Sequence, residues 1–451
     1  MPALTLPVLE RTGSGCHSTE QTGDTMKRIT IAGLILLVVL AVAAPVVTGS
    51  LTRSSWGQMT DEFNRGAASA AVLENLEYDR GYLSTEVLSK LTLDAPELEE
   101  PVDVFLRSRI AHGLTSARIE TRLDEGRHQA ALSFFDQDKP VLISHAHWNG
   151  DFESNLMVPG VDRQKEGMTF RWAPLDADFA VSDSGESASI HSSWAGLEVT
   201  QGANFLRLGQ VSVAEDMSRL VGEVWTGEVA FSVAELSANL AGSGRFSVED
   251  ATLLARTVEE GDGRLKNQMD IGVAAVEANG QSFSDIQMRF VAENFDIEAT
   301  NQVLLAANRL NGISRDASAA EQAAQHLELF SSMMDAVRTL MAHGLAVGIP
   351  TMVVNAPGGA AELEFHFAHP ELDAAGRAAM GSIFQHSTGG LSLKVPASML
   401  EQLPVAFQQR LFQLYQQGVL LEKDGIFLLN VDLEGMTLNV NGQPIPVPPL
   451  I

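Results

Sequence analysis

The sequence predicts an α+β protein in which a single N-terminal transmembrane helix precedes a large, mostly antiparallel β-meander domain, with amphipathic helices in the C-terminal third. Three observations predict it. One apolar run, Ile29 to Val47, is long enough to cross a bilayer. From Val72 onward, short alternations of apolar and polar residues recur between Gly, Asp, Asn and Ser. After Asp296, apolar residues recur at spacings of three and four.

The chain divides into residues 1–25, a tail without pattern; 26–49, the anchor; 50–295, a β-rich region; and 296–451, an α+β region continuing the same unit. Met1 to Thr25 is polar and lacks an amphipathic period, as in disordered tails. Met26-Lys27-Arg28 is a basic head directly after a methionine, so Met26 competes with Met1 as the translation start. The run that follows is broken only by Thr30, Gly33 and Pro45. Its nineteen residues reach about 28 Å at 1.5 Å per residue, close to the hydrocarbon thickness. Ala41-Val42-Ala43 fits a signal-peptide cut site, but the length favours an uncleaved anchor. With the basic head inside, everything after Gly49 lies outside the cytoplasm, which in a bacterium is the periplasm.

Charge divides the chain in the same way. Met1 to Val47 carries three basic and three acidic residues, so the whole net charge of −27 falls beyond the anchor. Nucleic acid is excluded as a partner, because binding it requires basic patches that release counterions. An anionic membrane surface is disfavoured for the same reason. The only cysteine, Cys16, precedes the apolar run, so the exported part has no disulfide, thiolate nucleophile or cysteine metal site.

In the β-rich region the expected strands are Leu114 to Leu123, Ala130 to Phe135, Val141 to His147, Phe152 to Val158, Phe170 to Val181, Ser189 to Val199 and Asn204 to Val213. Gly167, Gly185, Gly196, Gly202, Gly227 and Gly242 to Gly244 mark turns between antiparallel neighbours. Helices are expected over Asp296 to Leu310, stopped at Gly312, and over Ala317 to His343, opened by the Ser318 and Glu321 capping box. The second carries a stripe of Ala323, Leu327, Phe330, Met334, Val337 and Met341, too apolar for water and expected to close over the sheet. A strand at Ala361 to Phe367, a helix from Leu372 to His386 and a strand at Leu391 to Val395 follow. Ser398 to Tyr415 is amphipathic, and Pro404 must kink it or start a new helix. The end is a hairpin of Ile426 to Leu433 and Met436 to Val440, with Asn441-Gly442 beginning the exit.

Tyr78-Asp79-Arg80-Gly81-Tyr82-Leu83-Ser84-Thr85, His112-Gly113, the anchor ending in Thr48-Gly49 and the closing Val440-Asn441-Gly442-Gln443-Pro444 resemble the YdgA-like family of bacterial proteins. That resemblance implies an inner-membrane-anchored periplasmic protein. It supplies no catalytic residue, and Leu114 stands where a proline is common.

Chemistry-bearing patterns are few. His145 and His147 would share one face of a strand and could meet one metal with Asp151 nearby, but Asn149 and Gly150 occupy positions where a metallo-hydrolase run needs Asp and His. His366 and His369 read as surface histidines, Arg80 as the partner of a nearby carboxylate beside a Gly81 bulge, and the pairs Glu99-Glu100 and Glu259-Glu260 as solvated. No nucleophile elbow, phosphate loop, dinucleotide fingerprint or His-Glu-x-x-His helix occurs. No catalytic, cofactor-binding or metal residue is therefore assigned, and no cofactor.

Three functions fit. The first is a non-enzymatic envelope protein, tethered to the inner membrane, that binds a protein partner or supports the envelope. The second is a hydrophobic groove that binds or transfers lipid. A metal-dependent hydrolase using His145 and His147 is the third, and it requires another ligand. A groove needs continuous apolar side chains left uncovered by helices, whereas the first reading expects that face to lie under the 317–341 helix.

Overall fold

The computed structural model describes Thr60, Asn64 and residues 71–446, apart from 81–83, 95–99, 113–115, 136–137, 148, 183–184, 242–243, 279, 312–318, 380–384 and 401–404. Side chains at 80, 112, 308–311, 319–326, 377–379 and 405–407 also lie outside the description. The anchor run, the Gly81 bulge, the His112-Gly113 turn, the Ser318 and Glu321 cap and Pro404 are thus outside the described residues. No helix among those described is long and apolar enough to cross a membrane.

Among the described residues, twenty-four strands form one antiparallel sheet. Most pair with a chain neighbour, beginning Ala71–Arg80 with Ser84–Leu93, then Val102–His112, Ser116–Leu123 and Val141–His147. The expected 114–123 strand is therefore present from Ser116. The expected strand over Ala130 to Phe135 is not: Gln129–Leu132 is a single helical turn, too short for its period to show in the sequence.

Three expected strands, Phe170 to Val181, Ser189 to Val199 and Asn204 to Val213, are broken in the middle, and Phe152–Val158, found as expected, is followed by a further short strand, Val161–Lys165. Phe152–Val158 and Val161–Lys165 run antiparallel to Leu175–Ser182 and Met168–Trp172. These in turn pair with Ser187–Trp194 and Leu197–Gln201, then with Val211–Val221 and Asn204–Leu208, then with the unbroken Val224–Leu240. The breaks, at Pro159-Gly160, Ala173-Pro174, Ala195-Gly196 and Gly209-Gln210, lie side by side and form a crease across the sheet. It continues through Asp250 and Asp285, both with positive φ, a conformation that Asp tolerates better than most residues.

Two glycines read as turn residues have other work here. Gly196 sits in the crease with φ +103°, where an added Cβ would lie 1.9 Å from the Leu208 carbonyl oxygen. Gly227 lies inside a strand against the Asp216 carbonyl. The hairpin turns are instead two-residue pairs with both φ values positive, as at Glu166-Gly167, Asp262-Gly263, Asp424-Gly425 and Asn441-Gly442. Asn441-Gly442 is thus a hairpin turn leading to one more strand, Gln443–Pro446, rather than an exit.

The C-terminal third follows the expected order. Gln281–Asp296 leads into helices Ile297–Asn311 and Ala319–Ala342, and Leu345–Ala356 then pairs back onto Gln281–Asp296. The sheet continues through Gly359–His369, Thr388–Pro396 and Ile426–Glu434. Helix is described over Ala374–Ala379, within the expected 372–386, and over Ala397–Leu400 and Val405–Gln416.

Directly cross-strand residues share a face, so register sorts the side chains. One face is mostly apolar. In the N-terminal part it is buried, with Leu91, Val104, Val158 and Ala177 among the least exposed residues. Hydroxyl pairs Ser108 with Thr121 and Ser144 with Ser154 cross this core, each satisfied by its partner at 2.8 and 2.7 Å, and no buried hydroxyl of these pairs is left without a hydrogen bond.

Candidate functional site

Past the Ser187–Trp194 strand most of the same apolar face is no longer buried, although the row that begins at Val213 runs back through Ala177 and Leu156 in the core. Val213, Phe231, Leu253, Ile271, Met288, Met352, Leu363, Leu393 and Leu429 stand opposite one another on nine successive strands. Phe231 is exposed and the other eight are half-buried. A face this long and this apolar, with none of its central row buried, is unusual for a sheet that has no ligand or partner.

Among the described residues the helices do not cover this row. Val337, Leu340 and Met341, at the C-terminal end of the second helix, pack with Ala299, Phe295, Leu345, Val347 and Phe367. Asp296 fastens the base of the helix pair: its Oδ1 accepts the Ala299 backbone N–H at 2.9 Å, and its Oδ2 lies 2.9 Å from His343 Nδ1. Burial opposes the charge on Asp296, but these contacts and Arg264 outweigh it and hold the carboxyl below its usual range. Farther out, Leu327 is 72%, Phe330 54% and Met334 43% exposed. The expectation that the whole stripe closes over the sheet is thus corrected: of the helix's described side chains only those of the last two turns dock, because the helix rises from the strand ends at Asp296 and Leu345. Ala323 lies outside the described side chains. The Val405–Gln416 helix behaves similarly, with Tyr415 edge-on to Phe427 and Phe412 exposed.

The opposite face is polar and carries the histidines singled out from sequence. His145 and His147 lie on the Val141–His147 strand, and His145 lines a concavity of about 310 Å³ with Glu153, Asn155, Asp178 and Ser189. Asp151 is held in a turn, accepting from Asn149 Nδ2. Among the described residues no group of three or more His, Cys, Asp or Glu is placed to hold a metal, so the third ligand that a hydrolase needs is not found there. A larger concavity of about 620 Å³ lies alongside, lined by Asp178, His191, Ala214, Ala230 and Leu254.

His366 is exposed, as expected, but His369 is not a surface residue. It is 2% exposed, its Nδ1 lies 2.9 Å from the Pro370 carbonyl oxygen, and burial pushes its pKa down. The strand end at His369 is covered by the end of the long helix, which a sequence pattern cannot show. Glu100, Glu259 and Glu260 are exposed. Sequence reasoning missed Glu215. It lies on the apolar face between Ile190 and Val229, and its only signal was a break in the Val211-Val213-Met217 alternation.

A family model described as a bacterial protein of unknown function matches residues 26–448. The chain belongs to the DUF945 family. The match begins at Met26, the basic head of the apolar run, and takes in the whole sheet of this DUF945 protein. No curated protein and no solved structure matches the chain.

Proposed function

We propose that this DUF945 protein is a non-enzymatic binding module, tethered to the bacterial inner membrane by Ile29 to Val47, whose half-open apolar sheet face takes up the alkyl chains of a lipid. The observation that carries the proposal is the row from Val213 to Leu429, apolar on nine successive strands and buried on none. Half-exposed apolar side chains at about 25 cal/mol per Å² favour an apolar occupant. The exposure of Leu327, Phe330 and Met334 on the Ala319–Ala342 helix supports the same reading, since a face closed by that helix would have buried Phe330. The resemblance to YdgA-like proteins supports the location, and the net charge of −27 counts against nucleic acid.

The test is lipid content. Full-length protein extracted from membranes should carry lipid that survives purification, and Phe231→Glu combined with Met352→Glu should reduce it several-fold without unfolding the protein. Lipid no higher than in a mock purification, with a stoichiometric protein partner instead, would favour the envelope-partner reading. For the anchor, the chain should resist alkaline carbonate extraction at a mass including Ile29 to Val47; a soluble species beginning near Ala44 or Ser50 would overturn it.

A further inference from the structure

One register row on the apolar face runs Phe179, Ile190, Glu215, Val229, Ala255, Met269 and Phe290. Glu215 is the only ionisable residue in it. Along its own strand, Val213 and Met217 flank it on the same face. Among the described residues it has no hydrogen-bond or ion-pair partner. The charged groups nearby are engaged elsewhere or repel it. Asp216 is on the opposite face, 3.4 Å from His191 Nε2, and the Arg219 guanidinium lies 4.8 Å from the Trp225 ring centre, over that ring.

A half-buried carboxylate among Ile, Val and Met has lost part of its hydration and gained nothing in exchange. Desolvation, with Asp216 adding to it, pushes the Glu215 carboxyl up. A purely structural apolar face would be more stable with Val or Leu at this position. The strand alternates correctly on either side, so register slippage does not account for the residue.

We propose that Glu215 reads the polar end of the ligand, and that the ligand is an amphiphile carrying a protonated amine beside its alkyl chain. This rests on the apolar face being a lipid-binding surface. The chain would lie along the Val213 to Leu429 row while the ammonium donates to the Glu215 carboxylate. A charge-assisted hydrogen bond in a partly desolvated setting is stronger than a neutral one. An anionic headgroup would meet repulsion from the same carboxylate, and a hydroxyl would gain less.

Three photoreactive probes with the same alkyl chain, ending in ammonium, hydroxyl or sulfate, would be irradiated with membranes containing the full-length protein. Labelling would be read by mass spectrometry on the segments around Ile190, Val229 and Phe290, away from the carboxylate itself. The ammonium probe should exceed the hydroxyl probe about tenfold and the sulfate probe by more. In Glu215→Gln the ammonium-to-hydroxyl ratio should fall to about one while hydroxyl labelling persists, and Glu215→Asp should keep part of the preference. An unchanged ratio in Glu215→Gln would overturn the role of Glu215 and leave the groove standing. Absence of labelling by all three probes would overturn the groove, and this proposal with it.

Discussion

The carboxylate of Asp296 joins both ends of the helical pair, accepting the Ala299 N–H with one oxygen and facing His343 Nδ1 at 2.9 Å with the other. One side chain thus caps the first helix and ties down the residue that follows the second. Asp296→Ala should cost about 1–3 kcal/mol, combining a lost cap with a lost charge-assisted contact. Hydrogen exchange should quicken in Ile297–Asn311 and Ala319–Ala342 and stay unchanged in Ser84–Leu93. Uniform acceleration across the sheet would show that the effect is global.

The crease makes a sharper prediction about glycine. Gly196→Ala must move the Leu208 carbonyl as well as strain a backbone at φ +103°, so a loss above about 3 kcal/mol in urea unfolding is expected. Gly202→Ala has φ +60° and no heavy atom within 4 Å of the new methyl, so it should cost only about 1–2 kcal/mol. Equal losses would mean that the crease can relax.

The two halves of the long helix should respond differently. Phe330→Asp, at a site 54% exposed, should leave the thermal midpoint nearly unchanged, within about 0.5 kcal/mol. Leu340→Ala, at a site 7% exposed, should cost about 2–5 kcal/mol. A Phe330→Asp protein as unstable as Leu340→Ala would mean that the outer stripe is covered.

Asp124 supplies a pH test. Burial raises its pKa, but hydrogen bonds from Arg107 Nη2 at 2.9 Å and the Arg127 N–H at 3.1 Å outweigh this and hold the carboxyl below its usual value. A carboxyl depressed in the folded state stabilises fully above its unfolded pKa, about 3.9, and the contribution is lost as pH falls through the lower folded value. Wild type should exceed Asp124→Asn by about 1–3 kcal/mol near neutral pH, and the gap should close in strong acid. A gap that stays constant with pH would rule out the charge as its source.

Much of this architecture was legible because strand alternation and helical spacing are local. Val141–His147, Phe152–Val158 and both long helices lie within a residue or two of where their patterns place them. The crease is hard to see because the only local sign of it is a one-residue phase shift of the alternation, from Trp172 to Leu175 and from Trp194 to Leu197, so two short strands read as one. The long strands from Val224 to Asp296 carry Ala, Ser, Thr and Glu among their apolar residues, which blurs their ends. Alternation tells which residues share a face, but not whether a second layer covers it; the openness around Phe231 and the burial of His369 both depend on that layer.

Because each strand, with the two halves of a creased strand counted together, joins the one made before it, most pairings do not wait for a distant part of the chain; the join of Leu345–Ala356 to Gln281–Asp296 across the two helices is the long one. A growing hairpin edge can accept each new strand as it emerges, at the cost of only a short loop closure. The hazard falls on the leading edge, which is unpaired and apolar on one face until the next strand arrives. A pause in synthesis between Val224 and Asp296, where the strands are longest, would leave the widest such edge open. Slow codons or truncations there should therefore produce more aggregated protein than the same changes placed before Ser116.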